Sequence, residues 1–284
     1  MYRFSHIQTR SVLFLYTDTH CHLYFERFDA DREAVLRRAT EEGVDRILIP
    51  GIDLQTSGMA VDLARRYENL FAAVGVHPND ALSWTDESLD DLRILAKQPK
   101  VVAIGEIGLD YYWESAPRDV QKHVFTKQLE LAMECELPVV IHVRDRDLVT
   151  SPALCDTVTI IREWISGLVE KNSLLAARPG VLHSYSGDLE TAREAYDLNF
   201  KIGITGPVTF KNSGWLREVV KNMPIQALLT ETDAPFLTPH PFRGKRNEPA
   251  FVRYVVEEIT RLRQDEADSV SVEIARNAQK VFHW

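Results

Sequence analysis

Cysteine is scarce in this chain. Three residues in 284, Cys21, Cys135 and Cys155, lie far apart with no CxxC spacing, which argues against a disulfide framework. That usage fits a reducing, cytoplasmic setting. No apolar run approaches the ~20 residues of a membrane span. Positive charge is also in deficit, with 33 Lys and Arg against 42 Asp and Glu, a net charge of −9 and a pI near 5.5. A broad basic face that tracks along a duplex by its phosphates is therefore excluded, and any phosphate-bearing substrate has to be held locally. Low-complexity linkers and internal repeats are absent, and no obligate protein partner is evident. Residues 1–16 carry Arg3, His6 and Arg10 before a short apolar run, too short for a signal peptide. They are expected to form an extension leading into a single domain over residues 17–284.

What is present is alternation. Apolar, β-branched runs recur between amphipathic stretches, the pattern of βα units around a parallel sheet. Eight strands are expected, at Val12–Thr17, Arg46–Ile49, Phe71–Val76, Val101–Gly105, Val139–Ile141, Gly180–Leu182, Phe200–Ile204 and Ala227–Thr230. Between them, Phe125, Leu129, Ala132 and Met133 follow helical spacing, and Leu89, Leu92 and Leu95 recur after the start signal Thr85-Asp86-Glu87. Pro249 opens a further helix and Asp268–Trp284 forms an outer one. The connection from 146 to 179 is longer than a simple βα link. A helix at Val158–Val169 is expected there, with a loop able to wall one side of the site. Eight such units predict a TIM (β/α)8 barrel.

The strand ends carry chemistry. His20 and His22, two apart on an extended segment, point to one side and can share an ion. Glu106 follows the apolar run from Val101, where an ionised carboxylate costs several kcal/mol unless it meets a cation. His142 and His183 end two more apolar runs. Asp233 ends the last and is placed to take a proton from water. Catalytic groups of a parallel barrel gather at the carboxyl ends of its strands, so these six side chains are expected at one mouth. Six ligands exceed one tetrahedral ion and suit two divalent ions with a shared carboxylate, of zinc, manganese, nickel, iron or, less readily, magnesium. Glu231 either orients a ligand or faces the barrel wall. Asp110 and His77, just past strand ends, are expected to support ligands or contact substrate, although loop capping also accounts for Asp110.

Seven segments carry a family resemblance: Asp18-Thr-His-Cys-His-Leu23, Val74-Gly-Val-His-Pro78, Gly105-Glu-Ile-Gly-Leu-Asp-Tyr-Tyr112, Val140-Ile-His-Val-Arg144, His183-Ser-Tyr-Ser-Gly187, Leu229-Thr-Glu-Thr-Asp-Ala-Pro235 and Arg243-Gly-Lys-Arg-Asn-Glu-Pro249. In order, from about Thr17 onward, they resemble the TatD family of metal-dependent deoxyribonucleases. The resemblance implies a TIM barrel with two divalent ions, His20, His22 and Asp233 on the first, His142 and His183 on the second, and Glu106 bridging. It also implies a 3′ to 5′ exonuclease acting on DNA ends or single-stranded DNA. His183-Ser-Tyr-Ser-Gly departs from the more frequent His-Cys-Phe-Ser-Gly and keeps the ligand.

Arg243, Lys245 and Arg246, in the loop after the eighth strand, are candidates for holding phosphate, as is Arg144. A solvated charge run is the plain alternative for the loop, and pairing with Asp145 or Asp147 for Arg144. Tyr111, Tyr112 and Trp113 are candidates for stacking on an unpaired base. The rival enzyme class is an amidohydrolase-type esterase or amidase, such as a D-aminoacyl-tRNA deacylase. Two-ion sites of that class often use a carboxylated lysine where this chain has Glu106. A metal-stabilised scaffold is the third reading, weakened by an open ligand set.

Overall fold

The computed structural model describes residues 16–147 and 149–284. Eight parallel strands follow one another around the sheet in chain order: β1 (Tyr16–Asp18), β2 (Val44–Pro50), β3 (Leu70–Val74), β4 (Val101–Asp110), β5 (Val139–Arg144), β6 (Gly180–Leu182), β7 (Lys201–Ile204) and β8 (Leu228–Thr230). The first and last strands meet. Thr19 N–H donates to the Thr230 carbonyl at 3.0 Å and Thr230 Oγ1 to the Thr17 carbonyl at 2.9 Å, while Cys21 bridges Ala234 just beyond. Around the sheet lie α1 (Arg32–Glu41), α2 (Leu54–Arg66), α3 (Asp86–Ala96), α4 (Arg118–Cys135), α5 (Pro152–Glu170), α6 (Leu189–Asp197), α7 (Gly214–Asn222), α8 (Val252–Arg263) and α9 (Ala267–Phe282). This is the expected TIM barrel.

The strands read as continuous apolar runs because both of their faces are covered. On β2, Ile47 and Ile49 join the cluster formed with the helices, while Leu48 between them turns inward. Leu48, Ala73, Ala103, Val140, Val181 and Leu229 fill the lower barrel interior, all fully buried. Val281 and Phe282 of α9 close that end, and Trp284 packs against Phe282 and Phe71 at ring distances of 4.9 and 5.0 Å.

Three expectations change. The expected strand at Val12–Thr17 lies mostly outside the described residues, and within them β1 begins at Tyr16. The strand expected to stop at Gly105 runs on to Asp110. Its pairing with β5 passes from Ile104↔Val139 to Ile107↔Ile141, three steps against two, so an extra residue bulges where Glu106 sits. Gly108 lets the strand resume, since at φ +137° a Cβ would fall 2.1 Å from the His142 carbonyl oxygen. Finally, most of the 146–179 connection is helix. α5 starts at Pro152, where Asp145 accepts from the N–H groups of Ala153 and Leu154 at 2.8 and 3.1 Å. No described residue of that connection lines the cavity at the mouth.

Candidate metal centre

The bulge in β4 delivers the Glu106 carboxylate, 3% exposed, into the mouth at the carboxyl ends of the strands. Its two oxygens face different partners. Oε2 lies 3.3 Å from His20 Nε2 and 3.7 Å from His22 Nε2. Oε1 lies 2.9 Å from His142 Nδ1, 3.7 Å from His77 Nε2 and 4.0 Å from His183 Nε2. Asp233 Oδ1 completes the cluster at 3.5 Å from His22, 3.8 Å from His183 and 3.9 Å from His20. All six expected ligands therefore converge, and His77 joins them. Three overlapping triads bring potential ligand atoms within 4.8 Å of one another: His20, His22 and Glu106; His20, His183 and Asp233; and His77, Glu106 and His142.

The ends of β1 and β8 are tied together by Asp18, whose buried carboxylate accepts from Thr232 Oγ1 at 2.6 Å, Thr232 N at 2.8 Å and His20 N at 3.3 Å. This knot sets His20 and His22 opposite Asp233, which occupies the left-handed region at φ 55°, a conformation aspartate tolerates. Three of the imidazoles are then oriented from behind, whereas the buried His20 Nδ1 has no hydrogen-bond partner among the described residues. His22 Nδ1 meets the Tyr24 hydroxyl at 2.9 Å, His183 Nδ1 meets Glu231 Oε2 at 2.8 Å, and His142 Nε2 meets Asp110 Oδ2 at 3.2 Å. Each contact leaves the opposite ring nitrogen facing the centre. Glu231 is itself held by Ser184 N–H at 2.8 Å and Thr19 Oγ1 at 3.3 Å. Its carboxylate fills the space beside Gly203, where a Cβ would come within 2.4 Å of both oxygens.

This donor set fits divalent metal. His20 Nε2 and His22 Nε2 stand only 3.1 Å apart, close enough for one ring to donate its N–H to the other or for both lone pairs to face one cation. Burial and the neighbouring His183 hold His20 down to about 4, so its ring is neutral at physiological pH. Burial opposes charge at Glu106, but His20, His77 and His142 outweigh it and hold the carboxyl well below its usual range. At His183 burial also disfavours charge, yet Glu231 beside it lifts the ring to about 9, a proton that an incoming cation must displace. His77 behaves differently. Its Nδ1 accepts the Asn79 N–H at 3.1 Å, so the neutral ring carries its proton on Nε2 and offers the centre a donor. Burial, then His142, holds it neutral, down to about 3.

Above the centre opens a cavity of about 710 Å³ lined in part by His77, Asn79, Asp110 and Arg144. Arg144 pairs with neither Asp145 nor Asp147. Its guanidinium lies 4.4 Å over the Tyr112 ring and 5.6 Å from that of Trp113. Asp110 does both jobs considered for it, since Oδ1 accepts from Tyr112 and Trp113 N–H at 2.9 and 3.0 Å while Oδ2 backs His142. The loop after β8 departs from expectation, because none of its three cations lines the cavity. Arg246 forks onto Asp31 at 2.7 and 2.8 Å, Arg243 lies 4.0 Å over Phe210, and Lys245 lies 5.6 Å from the Phe242 ring. Arg246 is thus held by an acid, whereas Arg243 and Lys245 are exposed beside aromatic rings. Tyr111 is likewise withdrawn, 2% exposed with its hydroxyl on Asp156 at 2.8 Å. Tyr24 and Asn79 escaped the sequence reading. Tyr24 lies two residues past His22, but in a turn rather than on an extended segment, and nothing local marks Asn79.

The profile described as TatD related DNase matches residues 17–283. An uncharacterized metal-dependent hydrolase of Bacillus subtilis, YabD, is 44% identical over 93% of this chain and 98% of its own length. A protein of Cronobacter sakazakii named 3′-5′ ssDNA/RNA exonuclease TatD is 36% identical over 90% of this chain and 93% of its own. The crystal structure of YjjV, a TatD homologue from Escherichia coli, superposes with a TM-score of 0.85 at 31% identity, covering 95% of this chain and 98% of that one. The chain belongs to the TatD-related DNase family and is a metal-dependent hydrolase acting on ester bonds.

Proposed function

We propose that the chain removes nucleotides from the 3′ end of single-stranded DNA, using two divalent ions that share Glu106. The observation that carries this reading is the division of the Glu106 oxygens, Oε2 toward His20 and His22 and Oε1 toward His142 and His183. Asp233 completes the first set and also approaches His183. When bound, such ions lower the pKa of water and offset the charge of a phosphodiester. Asp233, the most exposed of the two central carboxylates with a side chain 16% accessible, accepts the proton of the attacking water. His77, through its Nε2 proton, and Arg144 hold the non-bridging phosphate oxygens. Glu231, Asp110 and Tyr24 act through the histidines they orient. Arg243, Lys245 and Arg246 have no part in the reading.

The direction of degradation and the single-stranded substrate follow the name borne by the Cronobacter relative. The same donors suit an aminoacyl or other carboxylic ester, so the test spans both classes. Metal-loaded protein is given 3′-labelled single-stranded DNA and an aminoacyl ester with Mg²⁺, Mn²⁺ or Zn²⁺. Stepwise loss of 3′ nucleotides, abolished in Glu106→Ala, is expected. Turnover of the ester with inert DNA moves the assignment to the esterase class.

A further inference from the structure

Three exposed aromatic side chains line the cavity: Trp113, 59% exposed, Phe236, 43%, and Trp215, 36%. Large rings in water at a cavity rim cost free energy unless something flat covers them in the working state. Two of them stand on opposite sides of the metal centre. Trp113 follows β4 and, with Arg144 from β5 beside it, forms a shelf on the side of His142 and Asp110. Phe236 follows β8 and packs edge-on against Phe25 at 5.8 Å, next to His22 at 6.5 Å, with the Arg27 guanidinium 5.7 Å from its ring. In a closed eight-stranded sheet in chain order, the β4–β5 and β8–β1 edges lie half a turn apart. Each shelf pairs an aromatic ring with a guanidinium, a combination that stacks on nucleobases regardless of their identity.

Resting on the nuclease reading, we propose that these shelves hold the two bases flanking the scissile phosphate, one over Trp113 and Arg144, the other against Phe236. A strand lying across the mouth then places its phosphodiester over the metal centre only after both bases have left any stack. Paired bases cannot splay in this way, so the shelves select single strands and frayed ends. Tyr112 contributes indirectly, since Arg144 and Arg146 cover its ring at 4.4 and 6.0 Å and it packs edge-on against Trp113 at 4.9 Å, which leaves Trp113 the more exposed ring of the two. Trp215, from the start of α7, faces the same cavity and is left without an assigned base.

The test uses the metal-loaded protein with short oligothymidylates carrying an abasic residue at the terminal position, at the penultimate position, or throughout. KM is read by hydrolysis. Equilibrium binding is read separately by fluorescence anisotropy on phosphorothioate versions. Trp113→Ala and Phe236→Ala should each weaken intact oligomers roughly five- to hundredfold, the range of one lost base stack, with Trp113→Phe restoring most of it. The losses should be non-additive with abasic substitution at one position for Trp113 and at the other for Phe236. Equal handling of intact and abasic oligomers, or fully additive losses at both positions, overturns the proposal while leaving nuclease activity standing. Base-dependent binding lost in both variants, with no hydrolysis by the parent protein, supports the shelves and removes the nuclease reading instead.

Discussion

The two ends of the barrel are built from the same eight strands and do opposite things. At the amino end, Leu48, Ala73, Ala103, Val140, Val181 and Leu229 pack a dry interior that α9 seals with Val281 and Phe282. A few residues further along the same strands, the interior turns into imidazoles and carboxylates that are almost as deeply buried. Apolar packing repays burial by itself, whereas charged and polar groups taken from water need partners. The mouth supplies them through ties from behind, Asp18 to Thr232, Glu231 to His183, Asp110 to His142 and Tyr24 to His22, and leaves the facing nitrogens for a cation. The sealed end thus holds the fold and the open end holds the chemistry, with little shared between them.

The sharpest separation should come from Glu106→Ala. Activity should fall by far more than the ~10- to 100-fold typical of losing a supporting group, and bound metal should drop, while thermal unfolding of the metal-free protein changes little or rises. Leu48→Ala at the sealed end is the converse. It should cost about 2–5 kcal/mol in denaturant unfolding and leave metal content and KM of the folded fraction unchanged. A variant at either end that moved both readouts together would break the division.

Glu231→Gln probes the seam between the ends, and a ~10- to 100-fold loss of metal affinity or activity is expected. It also has a pH signature in the metal-free protein. Because His183 is raised to about 9 from an ordinary value of 6.5, the stability it gains from Glu231 is fully present below about pH 6.5 and disappears as pH rises through about 9. Denaturation midpoints of parent and variant should differ most near pH 6 and converge by pH 10. The smallest effect belongs to Arg246→Ala, which removes a partly exposed pair with Asp31 and should cost at most about 1 kcal/mol without altering KM.

Much of this was legible in the residues. The apolar runs announced eight strands, and the abrupt appearance of His20, His22, Glu106, His142, His183 and Asp233 at their ends marked the mouth. Less legible was anything decided by partners remote in the chain. Glu106 read as the residue after a strand because the bulge that turns it inward is a matter of register with β5, which no local pattern encodes. The loop Arg243–Arg246 read as a phosphate site because its charges are visible in sequence while Asp31, which claims Arg246, lies far away in the chain. The exposed rim of Trp113, Trp215 and Phe236 comes from two loops and the start of α7, and only closure of the barrel assembles it.

The central claim is that Glu106 is shared by two ions, and anomalous diffraction from crystals soaked in Mn²⁺ tests it most directly. Two peaks are predicted, one between Glu106 Oε2, His20, His22 and Asp233, the other between Oε1, His142 and His183. A single fully occupied peak, or two peaks neither of which touches Glu106, would contradict the account.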